Sequence, residues 1–243
     1  MNDYRDWFYS RYSVALGYRD GGDSTLQRSF TQFHARWRRW LAADKNIRVL
    51  DVGCGNGEFL LYLRSMRYES LEGVDLDPAQ VERANAGGLK GVVCTTVQNF
   101  LVDKQSDYDL ISAFNFFEHV TKAELLEILA AMHRALKPGG RIIAVTPNGV
   151  SVFSGTTRYW DFSHEQSFTP ASWRQLARVT GFGEPVFQEY GPLKASLLGV
   201  VRCILWVFIK LAIDAVSFVE VGRSRDASRV YTADMKIILT KSR

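Results

Sequence analysis

Residues 51–58 read Asp51-Val52-Gly53-Cys54-Gly55-Asn56-Gly57-Glu58, between the apolar runs Ile47-Arg48-Val49-Leu50 and Phe59-Leu60-Leu61-Tyr62-Leu63. The pattern describes a strand that turns into a helix through alternating glycines. Glycine lacks the Cβ that blocks positive φ and close approach, so such a turn brings main chain against a ligand. The stretch predicts a nucleoside-like ligand there.

Spacing narrows the ligand. A dinucleotide turn has Gly-x-Gly-x-x-Gly, with the pyrophosphate on the helix N-terminus. This chain has Gly-x-Gly-x-Gly, with Asp51 two residues before the first glycine. A carboxylate at that strand end repels a pyrophosphate and suits a cationic amino group. Leu71-Glu72-Gly73-Val74-Asp75-Leu76-Asp77-Pro78 reads as a second strand ending in Asp75, placed to accept hydrogen bonds from ribose hydroxyls. Ribose combined with a cationic amino acid is the chemistry of S-adenosylmethionine.

Further segments follow in order: Tyr108-Asp109-Leu110-Ile111, Phe117-Glu118-His119-Val120, Leu136-Lys137-Pro138-Gly139-Gly140-Arg141 and Thr146-Pro147-Asn148. On these motifs residues 45–190 resemble the class I S-adenosylmethionine-dependent methyltransferases. The resemblance implies an α/β fold, a doubly wound, Rossmann-like seven-stranded sheet with an antiparallel terminal strand. It also implies a pocket in which the backbone of Gly53, Cys54, Gly55 and Gly57 underlies the methionine and sugar parts. Asp51 would hold the amino group, Asp75 the ribose, and Leu76 the adenine face, with Asn115 completing the cofactor set. Relatives place an Asp at the end of the third strand; here Thr96-Val97-Gln98 stands there, and Thr96 and Val97 are the candidates for the adenine edge.

The 243 residues are 47% hydrophobic and 23% charged, enough for a full core. A net charge of +4 is too mild for a nucleic-acid surface, which concentrates Lys and Arg in a stripe. Cys54, Cys94 and Cys203 have no metal or redox spacing, and Met1-Asn2-Asp3-Tyr4-Arg5-Asp6 is too polar for a signal peptide. A cytoplasmic setting is expected.

Along the chain, 1–45 reads as a helical, aromatic segment. Trp7, Phe8, Tyr9, Tyr12 and Tyr18 precede a Gly21-Gly22-Asp23 break, and Phe30, Phe33, Trp37 and Trp40 follow it. It is either a lid over the cofactor or packing against the sheet. The core, 46–191, alternates strands near 47–51, 70–75, 91–95, 108–113 and 141–146 with helices near 57–66, 78–86 and 122–136. A final hairpin pairs 184–190 with 233–240. Residues 192–231 form a helical insertion inside it, and 232–243 hold the last strand.

For catalysis, alignment of nucleophile, methyl carbon and sulfur supplies much of the acceleration, and a base is needed only when the acceptor must lose a proton. His119, after the fourth strand, and His164, in Tyr159-Trp160-Asp161-Phe162-Ser163-His164-Glu165, are the candidate bases. The bland alternatives are a structural partner at a helix start for His119 and a loop-fixing bond to Asp161 or backbone for His164. Ubiquinone-pathway relatives hold a divalent cation with Glu-x-x-Glu-His, but Asn115-Phe116-Phe117-Glu118-His119 lacks the first carboxylate, so no required metal is expected.

Residues 195–219 are long and apolar, but Arg202, Lys210 and Asp214 would each cost about 2.5 to 3.5 kcal/mol inside a bilayer. On a helical wheel these three share one face with Gly199, Trp206 and Ser217, the pattern of an interfacial helix; a dimer interface and a buried helix are the alternatives. The Thr146-Pro147-Asn148, Asp161-to-His164 and Phe168-Thr169-Pro170 segments, Gly181-Phe182 and this stretch resemble methyltransferases encoded with bacterial surface-polysaccharide pathways. That resemblance implies O-methylation of a small-molecule or lipid-linked saccharide hydroxyl at the inner face of the cytoplasmic membrane. The alternatives are a quinone or other apolar metabolite as acceptor, and a non-catalytic cofactor-binding protein.

Overall fold

The computed structural model describes residues 22–222 and 228–242, together with Tyr4, Phe8 and Tyr12; Trp7, Tyr9, Tyr18 and Gly21 lie outside the described residues. From Gly22 onward the described residues form helix α1 (Gly22–Trp37) and a 3-10 turn (Arg38–Trp40). The core follows as β1 (Val49–Val52), α2 (Glu58–Ser65), β2 (Leu71–Asp75), α3 (Pro78–Ala86), β3 (Val92–Cys94), α4 (Val97–Leu101) and β4 (Tyr108–Phe114). A second 3-10 turn (Phe117–His119), α5 (Lys122–Ala135), β5 (Leu136–Pro147), α6 (Ser154–Tyr159), α7 (Pro170–Thr180), β6 (Val186–Glu189), α8 (Leu197–Val221) and β7 (Asp234–Thr240) complete it.

One seven-stranded sheet runs in the order β3-β2-β1-β4-β5-β7-β6. β1 to β5 are parallel, and β7 lies antiparallel between β5 and β6. This is the doubly wound arrangement with an antiparallel terminal strand. All four residues of β1 are buried, as a central parallel strand covered by helices on both faces requires. Connections leave β1 and β4 in opposite directions, so a crevice opens at the carboxyl ends of these two neighbours.

Helix signals explain the covering layers. Thr121 and Glu124 form a capping box before α5, whose Leu125, Ile128, Leu129 and Met132 recur at helical spacing and are buried. Thr169 caps α7, with Pro170 in its first turn and Trp173 fully buried.

Two expectations are corrected, a short helix is added, and one alternative is resolved. Gly22 and Asp23 are not a break but the first turn of α1, and the helix Val97–Leu101, capped by Thr96, went unforeseen. Strand β5 starts at Leu136, not near 141, because Leu136 pairs with Tyr108 before an irregularity in the β4 ladder. Helix α1 packs against the sheet: Trp37 is fully buried with its ring centroid 4.9 Å from that of Phe114, and Phe33 lies 5.2 Å from Phe59. Tyr4, Phe8 and Tyr12, further towards the N-terminus, lie instead against the segment 161–165.

In α8 the usual sidedness is inverted. Trp206 Nε1 and Lys210 Nζ donate to the two carboxylate oxygens of Glu189 at 2.9 and 3.0 Å, Tyr231 donates to Asp214 at 2.5 Å, and Ser217 is buried. The polar stripe faces the domain, while Leu205, Phe208, Leu211, Phe218 and Val219 are exposed. Among the described residues no helix is long and apolar enough to cross a membrane.

Candidate active site

A cavity of about 630 Å³ opens at the carboxyl ends of the strands, within the size range of small-ligand sites. Its walls include Gly53, Gly55, Asp75, Leu76, Thr96, Val97 and Asn115 at one end, and His119, Asp161 and His164 at the other. Nine of the sequence-predicted site residues therefore meet in one cavity: these seven and the two histidines.

Asp51, Cys54 and Gly57 do not line it. Gly57 caps α2 at φ +73°, and a Cβ there would stand 2.3 Å from Leu89 Cδ1, so this glycine serves helix packing. The Cys54 side chain is buried in a cluster with Leu60, Val81 and Ala84, where burial and the charges of Asp51 and Asp75 raise its thiol pKa. Asp51 sits behind the wall, 3% exposed, and its Oδ1 accepts a hydrogen bond from Ser112 Oγ at 2.6 Å. Burial pushes its pKa to about 7, against the Ser112 hydrogen bond and with help from the Asp75 charge.

Gly53 at φ +65° is the close-approach position, because a Cβ would meet Phe116 Cδ2 at 2.9 Å. Asp75 fixes the turn: its Oδ2 accepts from Gly55 N at 2.8 Å and its Oδ1 from Asp77 N at 2.9 Å. Burial raises the Asp75 pKa, and these backbone donors oppose the rise. Beside the turn, Asn56 Oδ1 is buried without a hydrogen-bond partner among the described residues. A side-chain-free cradle, a carboxylate at its rim and a buried acid behind it fit a ligand carrying a ribose and a cationic amino acid.

At the other end, Tyr12 OH donates to Asp161 Oδ2 at 2.7 Å, and Asp161 Oδ1 accepts from both Ser163 Oγ (2.7 Å) and Ser163 N (2.8 Å). Burial disfavours the Asp161 carboxylate, but the bonds from Ser163 and Tyr12 hold its pKa below the usual range. Because Ser163 donates to Asp161, its Oγ accepts from His119 Nδ1–H at 2.8 Å. Burial and the neighbouring His164 lower the His119 pKa to about 4, so its ring is neutral. His164 Nδ1–H donates to the Thr157 carbonyl at 2.9 Å, which leaves the lone pair of the neutral ring on Nε2. Burial lowers its pKa as well. The two rings meet edge to face, centroids 4.8 Å apart.

Of the two loop-fixing partners open to His164, Asp161 or backbone, the structure shows backbone; Asp161 instead serves His119 through Ser163. Sequence reasoning missed this link, although Asp-x-Ser is a signal for an Asx turn. It also missed Glu118 as a wall residue. Glu118 is 1% exposed, its Oε2 has no hydrogen-bond partner among the described residues, and burial raises its pKa well above normal. Ligand atoms of Glu118, His119 and His164 all lie within 4.8 Å of one another, a donor set of one carboxylate and two imidazoles.

Comparison with known proteins agrees with this architecture. Among curated relatives, 27-O-demethylrifamycin SV methyltransferase of Amycolatopsis mediterranei (strain S699) is 28% identical over 132 residues, 52% of this chain and 48% of that protein. Ubiquinone biosynthesis O-methyltransferase of Pseudomonas aeruginosa (strain LESB58) is 27% identical over 106 residues, 42% of this chain and 44% of that protein. The chain spans about half the length of the curated relatives it matches. A solved S-adenosylmethionine-dependent methyltransferase from Archaeoglobus fulgidus shares the fold, with a TM-score of 0.64 at 23% identity over 90% of this chain and 97% of that one. Phosphoethanolamine N-methyltransferase 2 of Haemonchus contortus, solved in complex with S-adenosyl-L-methionine, superposes with a TM-score of 0.63 at 16% identity over 100% of this chain and 61% of that one. The family model for the methyltransferase domain matches residues 24–183, a span that holds both the glycine cradle and the histidine pair. The chain belongs to the methyltransferase domain family.

Proposed function

We propose that the chain is an S-adenosylmethionine-dependent O-methyltransferase whose acceptor is a hydroxyl of a sugar or lipid-linked glycan. One observation carries the reading: a glycine cradle with Asp75 and a histidine presenting a basic nitrogen line the same cavity. Bound in the cradle, the cofactor supplies an electrophilic methyl group. Gly53 and Gly55 would underlie it, Asp75 would accept from the ribose, Asp51 would balance the amino group from behind the wall, and Leu76, Thr96 and Val97 would form the adenine side. Asn115 closes the wall between the two ends.

His164 accepts the acceptor's proton at Nε2, while the Thr157 carbonyl holds the ring in the productive tautomer. His119, at a pKa of about 4, is the poorer base and positions its neighbour through ring contact. Tyr4, Phe8 and Tyr12 act as a lid contacting the acceptor loop. No metal is required in this reading, since Asn115 stands where metal-binding relatives have a first carboxylate.

The name of the rifamycin relative supports methyl transfer to oxygen on a complex acceptor. Those of the ubiquinone relatives favour the second reading, a quinone or other apolar metabolite. Calorimetry with S-adenosylhomocysteine, followed by transfer of a labelled methyl group to lipid-linked saccharides and to hydroxylated quinones, tests both. Absence of homocysteine-nucleoside binding overturns the function, and labelled quinone alone replaces the acceptor.

A further inference from the structure

A second cavity, about 270 Å³, lies between α1 and α8. Arg36, Lys210, Lys236 and Glu189 line it. Both Glu189 oxygens are already engaged by Trp206 and Lys210. Lys236 is 9% exposed, and among the described residues its ammonium has no hydrogen-bond or ion-pair partner; the Trp37 ring centroid lies 5.7 Å away. Arg36 donates to the Gly191 carbonyl at 3.1 Å and stacks 3.8 Å from the Tyr190 ring centroid, but its buried Nε has no hydrogen-bond partner among the described residues.

A buried cation without a counter-ion is costly, and cations left so in a cavity mark where an anion binds. The wall carries three cations against one carboxylate; Lys210 is paired with Glu189 and Asp234 acts on Arg36 from the same face of β7, so Lys236 is the cation that most lacks an anion. A guanidinium beside an ammonium suits phosphate oxygens. Burial together with Arg39 and Arg36 lowers the Lys236 pKa to about 8, as expected of a cation lacking its partner.

The cavity continues into apolar surface. Val207 lines it and is 51% exposed, and beyond it lies the outer face of α8. At 100° per residue, the exposed apolar side chains of α8 span roughly 200° of arc. A helix from a second copy covers only a narrow seam, whereas hydrocarbon covers a half-cylinder. Arg202 and Lys194 are exposed nearby, which adds charge complementarity to an anionic amphiphile.

We propose that this cavity binds the phosphate or diphosphate group of an amphiphile whose hydrocarbon chain lies along the exposed face of α8. Asp234, two residues before Lys236 on β7 and on the same face, lines the main cavity. Two strand residues span about 6.6 Å, and the Asp234 charge acts on Glu118 beside His119, so the two cavities are neighbours along this face of β7. The inference deepens the proposed function, on which its acceptor role rests, by naming the acceptor's class as phosphate-bearing lipid.

Calorimetry on the full chain with inorganic pyrophosphate, farnesyl diphosphate and farnesol tests it, with S-adenosylhomocysteine as a separate probe of the main cavity. Farnesyl diphosphate is expected to bind at least about tenfold more tightly than pyrophosphate, because only it covers α8. Lys236→Met and Arg36→Gln should each weaken it by about tenfold or more, and Leu205→Glu with Phe208→Glu should reduce it to the level of pyrophosphate. Equal binding of the two diphosphates assigns the site to free phosphate and overturns the amphiphile. Binding that ignores Lys236 and Arg36, equal binding of farnesol, or no binding overturns the site. Failure of S-adenosylhomocysteine to bind the unaltered chain overturns the proposed function and leaves the phosphate site to its own result.

Discussion

Ser112 donates its hydroxyl hydrogen to Asp51 at 2.6 Å, inside a stretch of strand where almost every other side chain is apolar. That single bond does not offset burial, so Asp51 holds its proton up to about pH 7. A cationic amino group requires the ionised form. Affinity for S-adenosylhomocysteine should therefore fall about tenfold for each pH unit below about 7 and level off above it. Asp51→Asn should bind weakly at every pH, and titration calorimetry across pH 5.5 to 8.5 reads both. A flat profile for the unaltered chain would place the amino group elsewhere.

Asp75→Ala is expected to weaken S-adenosylhomocysteine binding by about 1.5 to 3 kcal/mol, the worth of a charge-assisted hydrogen bond. Because Asp75 also accepts from Gly55 N and Asp77 N through its two oxygens, and an amide would keep only one of these acceptors, the melting temperature of ligand-free Asp75→Ala separates loss of the turn from loss of the ribose contact. Unchanged affinity in Asp75→Ala would mean that the ribose is held by other groups.

His164→Ala should lower kcat by about 10² to 10⁴-fold while cofactor affinity changes less than about twofold. Ser163→Ala breaks the bond between Asp161 and His119 but leaves His164 on the Thr157 carbonyl, so its loss should be smaller. Full activity in His164→Ala with none in His119→Ala would reverse the assignment of the base.

Activity should survive dialysis against EDTA. Loss restored by a divalent ion would instead make Glu118, His119 and His164 a metal centre, the one arrangement of ligands the described residues offer.

Lys236→Met should raise Tm, because it replaces a largely buried side chain, whose ammonium has no hydrogen-bond or ion-pair partner among the described residues, with an apolar chain of similar length. The sign with pH follows from the lowered pKa. Between about 8 and 10.5 the unfolded chain binds the proton that the folded chain lacks, so the unaltered protein gains stability as pH rises through that window. The advantage of Lys236→Met should shrink accordingly when melting is followed from pH 8 to 10.

The cofactor end was legible because its chemistry is local. Gly53, Gly55 and Asp75 each sit where a strand ends, and their spacing fixes the geometry before any tertiary contact forms. The histidine end was legible only as a set of residue types. That Ser163 joins Asp161 to His119 across 44 positions in sequence depends on how the loop after β5 returns over the second 3-10 turn, and no periodicity encodes that return. The second cavity was invisible for the same reason: Arg36 and Lys236 are 200 residues apart and meet because β7 enters the sheet beside α1's packing face. Wheel geometry did place the polar stripe of α8 correctly, but a wheel does not tell which stripe meets the domain.

The strands on either side of α8 are neighbours in the sheet, β6 against β7, so the register of that hairpin is set by its own ladder and not by what joins its ends. Lengthening or exchanging a connection of this kind costs little, about 0.6 kcal/mol for each doubling of length. The cofactor cradle sits on β1 and β2, across the sheet from this excursion. The connection that carries α8 can thus be lengthened or exchanged at one edge of the molecule without disturbing the glycine turn after β1.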